Sequence, residues 1–115
     1  MVLEFKVDVS EEKTVPILRV NGEIDIYTCP KLSKYLKDAL DKGAGNLILN
    51  LENVHYIDST GLGAIAHSAN SLYKQGGKMH VVCTKSQLKK VFEVSGLSRK
   101  NIHLFEEETS ALNTL

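Results

Sequence analysis

The sequence predicts an α/β domain, a mixed and mostly parallel sheet of about five strands with about four helices. Three observations carry this prediction. After an opening pair of strand-like segments, short apolar runs alternate with stretches of helical periodicity. Glycines recur where those helical stretches stop, at Gly43, Gly76-Gly77 and Gly96. The connections are short, so each helix can pack back onto the sheet as a crossover between parallel strands.

Leu3, Phe5, Val7 and Val9 alternate with Glu4, Lys6, Asp8 and Ser10, the period of a half-buried strand. Glu11-Glu12-Lys13 reads as a polar turn. Val15 to Val20 is a second strand, with Pro16 suited to an edge or a strand start. Asn21-Gly22 is a turn signal, although no matching strand follows it. Thr28 or Cys29 then caps a helix that tolerates Pro30 in its first turn. Leu32, Tyr35, Leu36, Ala39 and Leu40 mark its apolar face. Asn46 to Leu51 is a short buried strand. Leu62, Ile65, Ala66, Ala69, Leu72 and Tyr73 trace the next helix. Met79 to Cys83 is a strand, and Thr84 with Gln87 fits a capping box for a third helix, with Leu88, Val91 and Phe92 facing inward. Ile102 to Phe105 is a last short strand, and Ala111, Leu112 and Leu115 suggest a terminal helix.

The chain is organised around Val54-His55-Tyr56-Ile57-Asp58-Ser59-Thr60-Gly61-Leu62-Gly63. Here a buried strand hands over to a helix. Asp58, Ser59 and Thr60 can accept bonds from the first free N–H groups of that helix. A hydroxyl on such a corner is exposed, rigidly held and near the positive end of a helix dipole. An Asp-Ser-Thr cap needs no function to explain it. This corner, however, carries more polar and glycine residues than one cap requires. A second acidic corner, Glu23-Ile24-Asp25, follows the second strand. Strand ends of parallel neighbours open on one side, where sites form, so the two corners are expected together.

The 115 residues suit a single domain covering 1–115, and 14 basic residues balance 14 acidic ones. With no net field, no basic stripe and no aromatic stacking pattern, direct nucleic-acid binding is not expected. No apolar run approaches the ~20 residues that span a bilayer. Met1-Val2-Leu3-Glu4 lacks the features of a signal peptide, so the expectation is a cytoplasmic chain away from membranes. Cys29 and Cys83 form no CxxC pair and read as free thiols. For Cys29 a packing role is favoured over a reactive thiol at a helix start.

Enzyme signatures are missing from the sequence. Ser59 lies in Asp58-Ser59-Thr60-Gly61, not in a G-x-S-x-G elbow. There is no P-loop, and Gly61-Leu62-Gly63 does not continue into a dinucleotide fingerprint. One residue too many separates Asp58 from Gly61 for the aspartic-protease triplet. His55, His67, His80 and His103 are scattered, with no i, i+4 pair to hold a metal, and read as surface or partly packed side chains. Neither a metal nor a cofactor is expected.

Gly22-Glu23-Ile24-Asp25, Leu47-Ile48-Leu49-Asn50-Leu51, Tyr56-Ile57-Asp58-Ser59-Thr60-Gly61-Leu62-Gly63, Gly76-Gly77 and Gly96-Leu97 together resemble bacterial anti-sigma factor antagonists of the STAS domain family. The resemblance runs from about Val7 to Leu115. It implies a single STAS-like domain that is not an enzyme. It implies that the unphosphorylated form binds an anti-sigma factor that is also a serine kinase, and so frees the sigma factor. It implies that Ser59 is the phosphoacceptor, that phosphorylation ends binding, and that a metal-dependent serine phosphatase resets the protein. By motif match, Asp58 and Asp25 are the acidic positions beside the phosphorylation site, and Thr60 is a weaker second acceptor. Gly61, Leu62, Ile26 and Tyr27 join them on the expected partner face, made by the loop of residues 22–28 and the helix of residues 62–74. A monomer is expected, because no helix face looks apolar beyond the needs of the core. The alternatives are a STAS scaffold or regulatory module in another signalling or transporter system, a small hydrolase using Ser59, and a nucleotide binder without a phosphate-cradling loop.

Overall fold

The structure, a computed structural model, describes residues 4–99 and 101–115. The elements are β1 (Lys6–Glu12), β2 (Val15–Ile24), α1 (Cys29–Asp41), β3 (Leu47–Ile57), α2 (Ser59–Lys74), β4 (Met79–Val82), α3 (Ser86–Val94), a 3-10 turn (Leu97–Arg99), β5 (Ile102–Phe105) and α4 (Glu108–Asn113). They form one five-stranded sheet in sequence order, β1 to β5. β1 is antiparallel to β2, and the remaining neighbours are parallel. The predicted α/β class is therefore the observed one.

Strand alternation sends side chains to two faces. Leu18, Val20, Leu47, Leu49, Leu51, Met79, Val81 and Ile102 meet Leu32 and Leu36 of α1, Ile65 and Leu72 of α2, and Leu88 and Phe92 of α3. On the other face Val15, Ile17, Ile48 and Val82 meet only Ala111 and Leu112 of the short α4, with Phe105 beside them. One face thus carries three helices, and the other carries one helix of six residues.

Several sequence expectations shift. The hairpin turn is not Glu11-Glu12-Lys13. Glu12 pairs with Val15, and the two-residue turn is Lys13-Thr14 with φ of 52° and 66°. Strand twist favours such a left-handed pair even without glycine or asparagine. Asn21-Gly22 does not turn the chain either. Gly22, at φ 110°, sits inside β2, which continues to Ile24. The register shifts at two bulges in β3, where Asn50 to Asn53 spans Arg19 to Asn21, and Val54 to Tyr56 spans Gly22 to Glu23. β3 likewise runs past Leu51 to Ile57, and the two bulges break its alternation there.

Val9 is 56% exposed rather than half-buried, because it lies on the edge strand with no helix over it. Leu3, expected on the same strand, falls outside the described residues. Tyr73 and Leu115, expected inward, are 61% and 47% exposed. The Thr84–Gln87 capping box does not form. The Thr84 hydroxyl donates to Glu52 Oε2 at 2.8 Å, and Lys85 takes the N-cap position without a side-chain cap bond.

Candidate functional site

The site begins with two strand ends. β2 and β3 are parallel neighbours and finish side by side, with Ile24 paired to Ile57. The Asp58 N–H donates to the Ile24 carbonyl at 3.0 Å, extending the ladder into the corner. Asp58 then caps α2. Its Oδ1 accepts from the Gly61 N–H at 2.9 Å. Its Oδ2 accepts from the Ile26 N–H of the neighbouring loop at 3.1 Å. One carboxylate therefore satisfies a helix terminus and ties the second acidic corner to the first.

The loop after β2 is built the same way. Asp25 Oδ1 accepts from the N–H groups of Tyr27 at 2.9 Å and Thr28 at 3.0 Å, an Asx turn. The Thr28 hydroxyl donates to the Glu23 carbonyl at 2.7 Å and accepts from the Asp25 N–H at 3.0 Å. Thr28 holds the N-cap position of α1, but its hydroxyl is spent on the loop and makes no cap bond. These bonds leave Ile26 and Tyr27 at the tip, 61% and 88% exposed. Their exposure excludes a role as core or helix-staple residues.

Close packing locks the corners together. A Cβ on Gly61 would lie 2.3 Å from Ile24 Cγ2 and 3.2 Å from the Ile24 carbonyl oxygen. Only glycine lets α2 start this near β2. Cys29 Sγ lies 3.8 Å from the Thr60 carbonyl and from Ser33 Oγ, and the residue is buried, which fits packing rather than reactivity. Cys83 is fully buried, and burial pushes its thiol up to about 11, leaving it protonated at neutral pH.

The sequence-derived residues fall into two groups. Ser59 and Thr60, the first two residues of α2, are exposed, as are Ile26 and Tyr27. Among the described residues the Ser59 hydroxyl has no hydrogen-bond partner. Asp25 and Asp58 are half-buried and engaged by backbone N–H groups. Leu62 is half-buried against the core, and Gly61 is buried, so Gly61 spaces the corner rather than presenting a surface. Sequence reasoning gave no role to Tyr56, which pairs with Glu23 and is 52% exposed beside the corner. The available signal was a large aromatic on a strand two residues ahead of the exposed turn. None of the described residues forms a group of three or more His, Cys, Asp and Glu side chains that could hold a metal. No helix among them is long and apolar enough to cross a membrane.

Known proteins share this fold. A family model described as STAS domain matches residues 6–111. An anti-sigma-B factor antagonist of Staphylococcus aureus is 34% identical over 80 residues, covering 70% of this chain and 74% of that one. The crystal structure of an anti-sigma factor antagonist from Mycobacterium paratuberculosis superposes with a TM-score of 0.88 at 24% identity, over 96% of this chain and 93% of that chain. The phosphorylated form of the Bacillus cell fate determinant SpoIIAA does so with a TM-score of 0.74 at 21% identity, over 97% and 100%. At those identities the two structures speak for the fold. The family model and the sequence relative go further, and on them the chain is a member of the STAS domain family.

Proposed function

We propose that this chain is an anti-sigma factor antagonist governed by phosphorylation of Ser59. In this reading the unphosphorylated form binds an anti-sigma factor that is also a serine kinase, and so frees a sigma factor. Phosphorylation ends the complex, and a serine phosphatase restores the binding form. The chain acts by binding and catalyses no reaction of its own. The observation that carries the reading is the exposed, unbonded Ser59 hydroxyl on a corner whose neighbour loop displays Ile26 and Tyr27. The name of the S. aureus relative points the same way.

The electrostatics suit a switch at this corner. A phosphoserine carries about −1.5 to −2 charges at neutral pH. The α2 N-terminus offsets part of this, by about 0.3–1 kcal/mol. It cannot offer its cap, because Asp58 already fills the bond to Gly61. Asp58 and Asp25 add like-charge repulsion. In water the free protein tolerates this charge. Enclosed at an interface without a cation, it costs several kcal/mol. At about 1.4 kcal/mol per tenfold, affinity falls a hundredfold or more.

The test is a pull-down with wild-type and Ser59→Glu baits, with bound proteins identified by mass spectrometry. Wild type is expected to retain a kinase-like ATPase that Ser59→Glu loses. Equal retention by both baits would remove Ser59 as the switch.

A further inference from the structure

A second feature lies at the opposite end of the sheet. β3 runs 11 residues from Leu47 to Ile57, so its two ends are about 30 Å apart at roughly 3.3 Å per residue. At the Leu47 end an open-mouthed pocket of about 390 Å³ is lined by Asn46, Gly76, Lys78, His80, His103, Phe105 and the α4 end, Thr114 and Leu115. It lies on the face that α4 covers only in part, since His80 pairs with Ile48 and His103 across parallel strands.

His80 is the anomaly in this pocket. It is 3% exposed, and both ring nitrogens are buried with no hydrogen-bond partner among the described residues. Its ring lies beside two others, His103 at 5.9 Å and Phe105 at 5.6 Å between centroids. A buried polar group left unpaired keeps its full desolvation cost, so a native one calls for a partner. The rest of the lining says what kind. Lys78 brings a cation and His103 a second imidazole. The Asn46 side-chain oxygen accepts from the Lys78 backbone N–H at 3.1 Å, which leaves its NH₂ group to act as a donor. No acidic side chain lines the pocket, although the chain has as many acids as bases. A metal ion would find two imidazoles, no carboxylate and a repelling lysine. A negatively charged oxygen group would find the Lys78 cation, the Asn46 amide and two imidazoles as donors.

We propose that this pocket binds a small oxyanion, the phosphate or carboxylate group of a small molecule, between Lys78, Asn46, His103 and His80. Its volume falls in the range of small-ligand sites, and Phe105 supplies an apolar wall. His103 is exposed, and its ring centroid lies 5.9 Å from that of His80. Burial, His103 and Lys78 together hold His80 down at about 4. A bound anion opposes the two charge effects, so binding draws a proton onto His80 and strengthens as pH falls.

The experiment is an NMR titration of the histidine ring nitrogens with inorganic phosphate and, separately, acetate, at constant ionic strength. Saturable shifts of both His80 and His103 are expected, with the His80 pKa rising by about one unit or more, equivalent to at least tenfold tighter binding to the protonated ring. The two arms separate phosphate from carboxylate preference, and saturation by either supports the site. Lys78→Glu changes an exposed side chain, leaves the core intact and is expected to abolish the effect. Unsaturable shifts, no response at His80, or an undiminished response in Lys78→Glu would each overturn the proposal.

Discussion

Single residues set the local energetics of this fold, and two of them sit in conformations their side chains disfavour. Lys13 and Thr14 form the β1–β2 turn at positive φ, and Thr14 is β-branched. Replacing them as Lys13→Asn with Thr14→Gly is expected to stabilise the protein by about 1 kcal/mol, seen as a higher urea midpoint with unchanged slope. A lower midpoint would show that these side chains contribute something the turn geometry does not require. Gly61 makes the opposite case. Gly61→Ala drives a methyl group into the buried Ile24 side chain. It is expected to cost about 1–3 kcal/mol in urea unfolding and to shift the Ile26 amide resonance, because a displaced Ile24 moves the loop that begins two residues before Ile26.

Among the elements, α4 is the least secured. It is six residues long and buries only Ala111 and Leu112. Its first residue, Glu108, is held by Arg19 through two bonds of 2.8 Å and by the Asn50 amide at 2.6 Å. Arg19 is also fixed by Ser10 Oγ at 2.8 Å, so the tether reaches β1, β2 and β3. The site is partly open to water, which discounts the ion pair to about 1 kcal/mol. Glu108→Ala is expected to speed amide exchange at Leu112 while leaving Leu49 and Leu51 of β3 unchanged. Uniform acceleration across the sheet would mean that α4 unfolds only with the whole domain.

For the whole molecule, acid pH is the sensitive axis. The Arg19 guanidinium, with help from Asn50, holds the Glu108 carboxyl below its ordinary value. That stability is present above the ordinary carboxylate range and is lost as pH falls through the lowered folded value. His80 acts earlier. Its folded pKa is about 4 against an ordinary 6.5, so the unfolded chain binds more protons in that interval. Stability therefore falls as pH drops from about 6.5 towards 4, by on the order of 2–3 kcal/mol for this group. His80→Leu is expected to flatten the stability profile across that window and to leave the Glu108 loss below it. An unchanged profile would show that His80 gains a partner on protonation.

The sequence alone determined the class of fold, the order of its elements and the corner at Asp58-Ser59-Thr60-Gly61. These rest on near-neighbour chemistry: apolar periodicity, glycine stops and a capping carboxylate three residues ahead of the N–H it accepts from. The exposed Ser59 hydroxyl follows from that spacing, which left Asp58, Ser59 and Thr60 all open as caps; the structure gives the N-cap of α2 to Asp58. What depended on distant chain segments was not legible. Asn21-Gly22 is locally a turn signal, yet pairing with β3, and of Asn21 with β1, keeps it within β2, opposite the bulges of β3. Thr84 is locally a cap, yet Glu52, 32 residues away, takes its hydroxyl. The second bond of Asp58, to Ile26, also spans 32 residues, and it turns two separate corners into one surface. His80 and His103 are 23 positions apart and meet only because β4 and β5 pair in register. A linear chain records what each residue prefers. Strand register decides which preferences are met, because it alone sets which distant groups share a face.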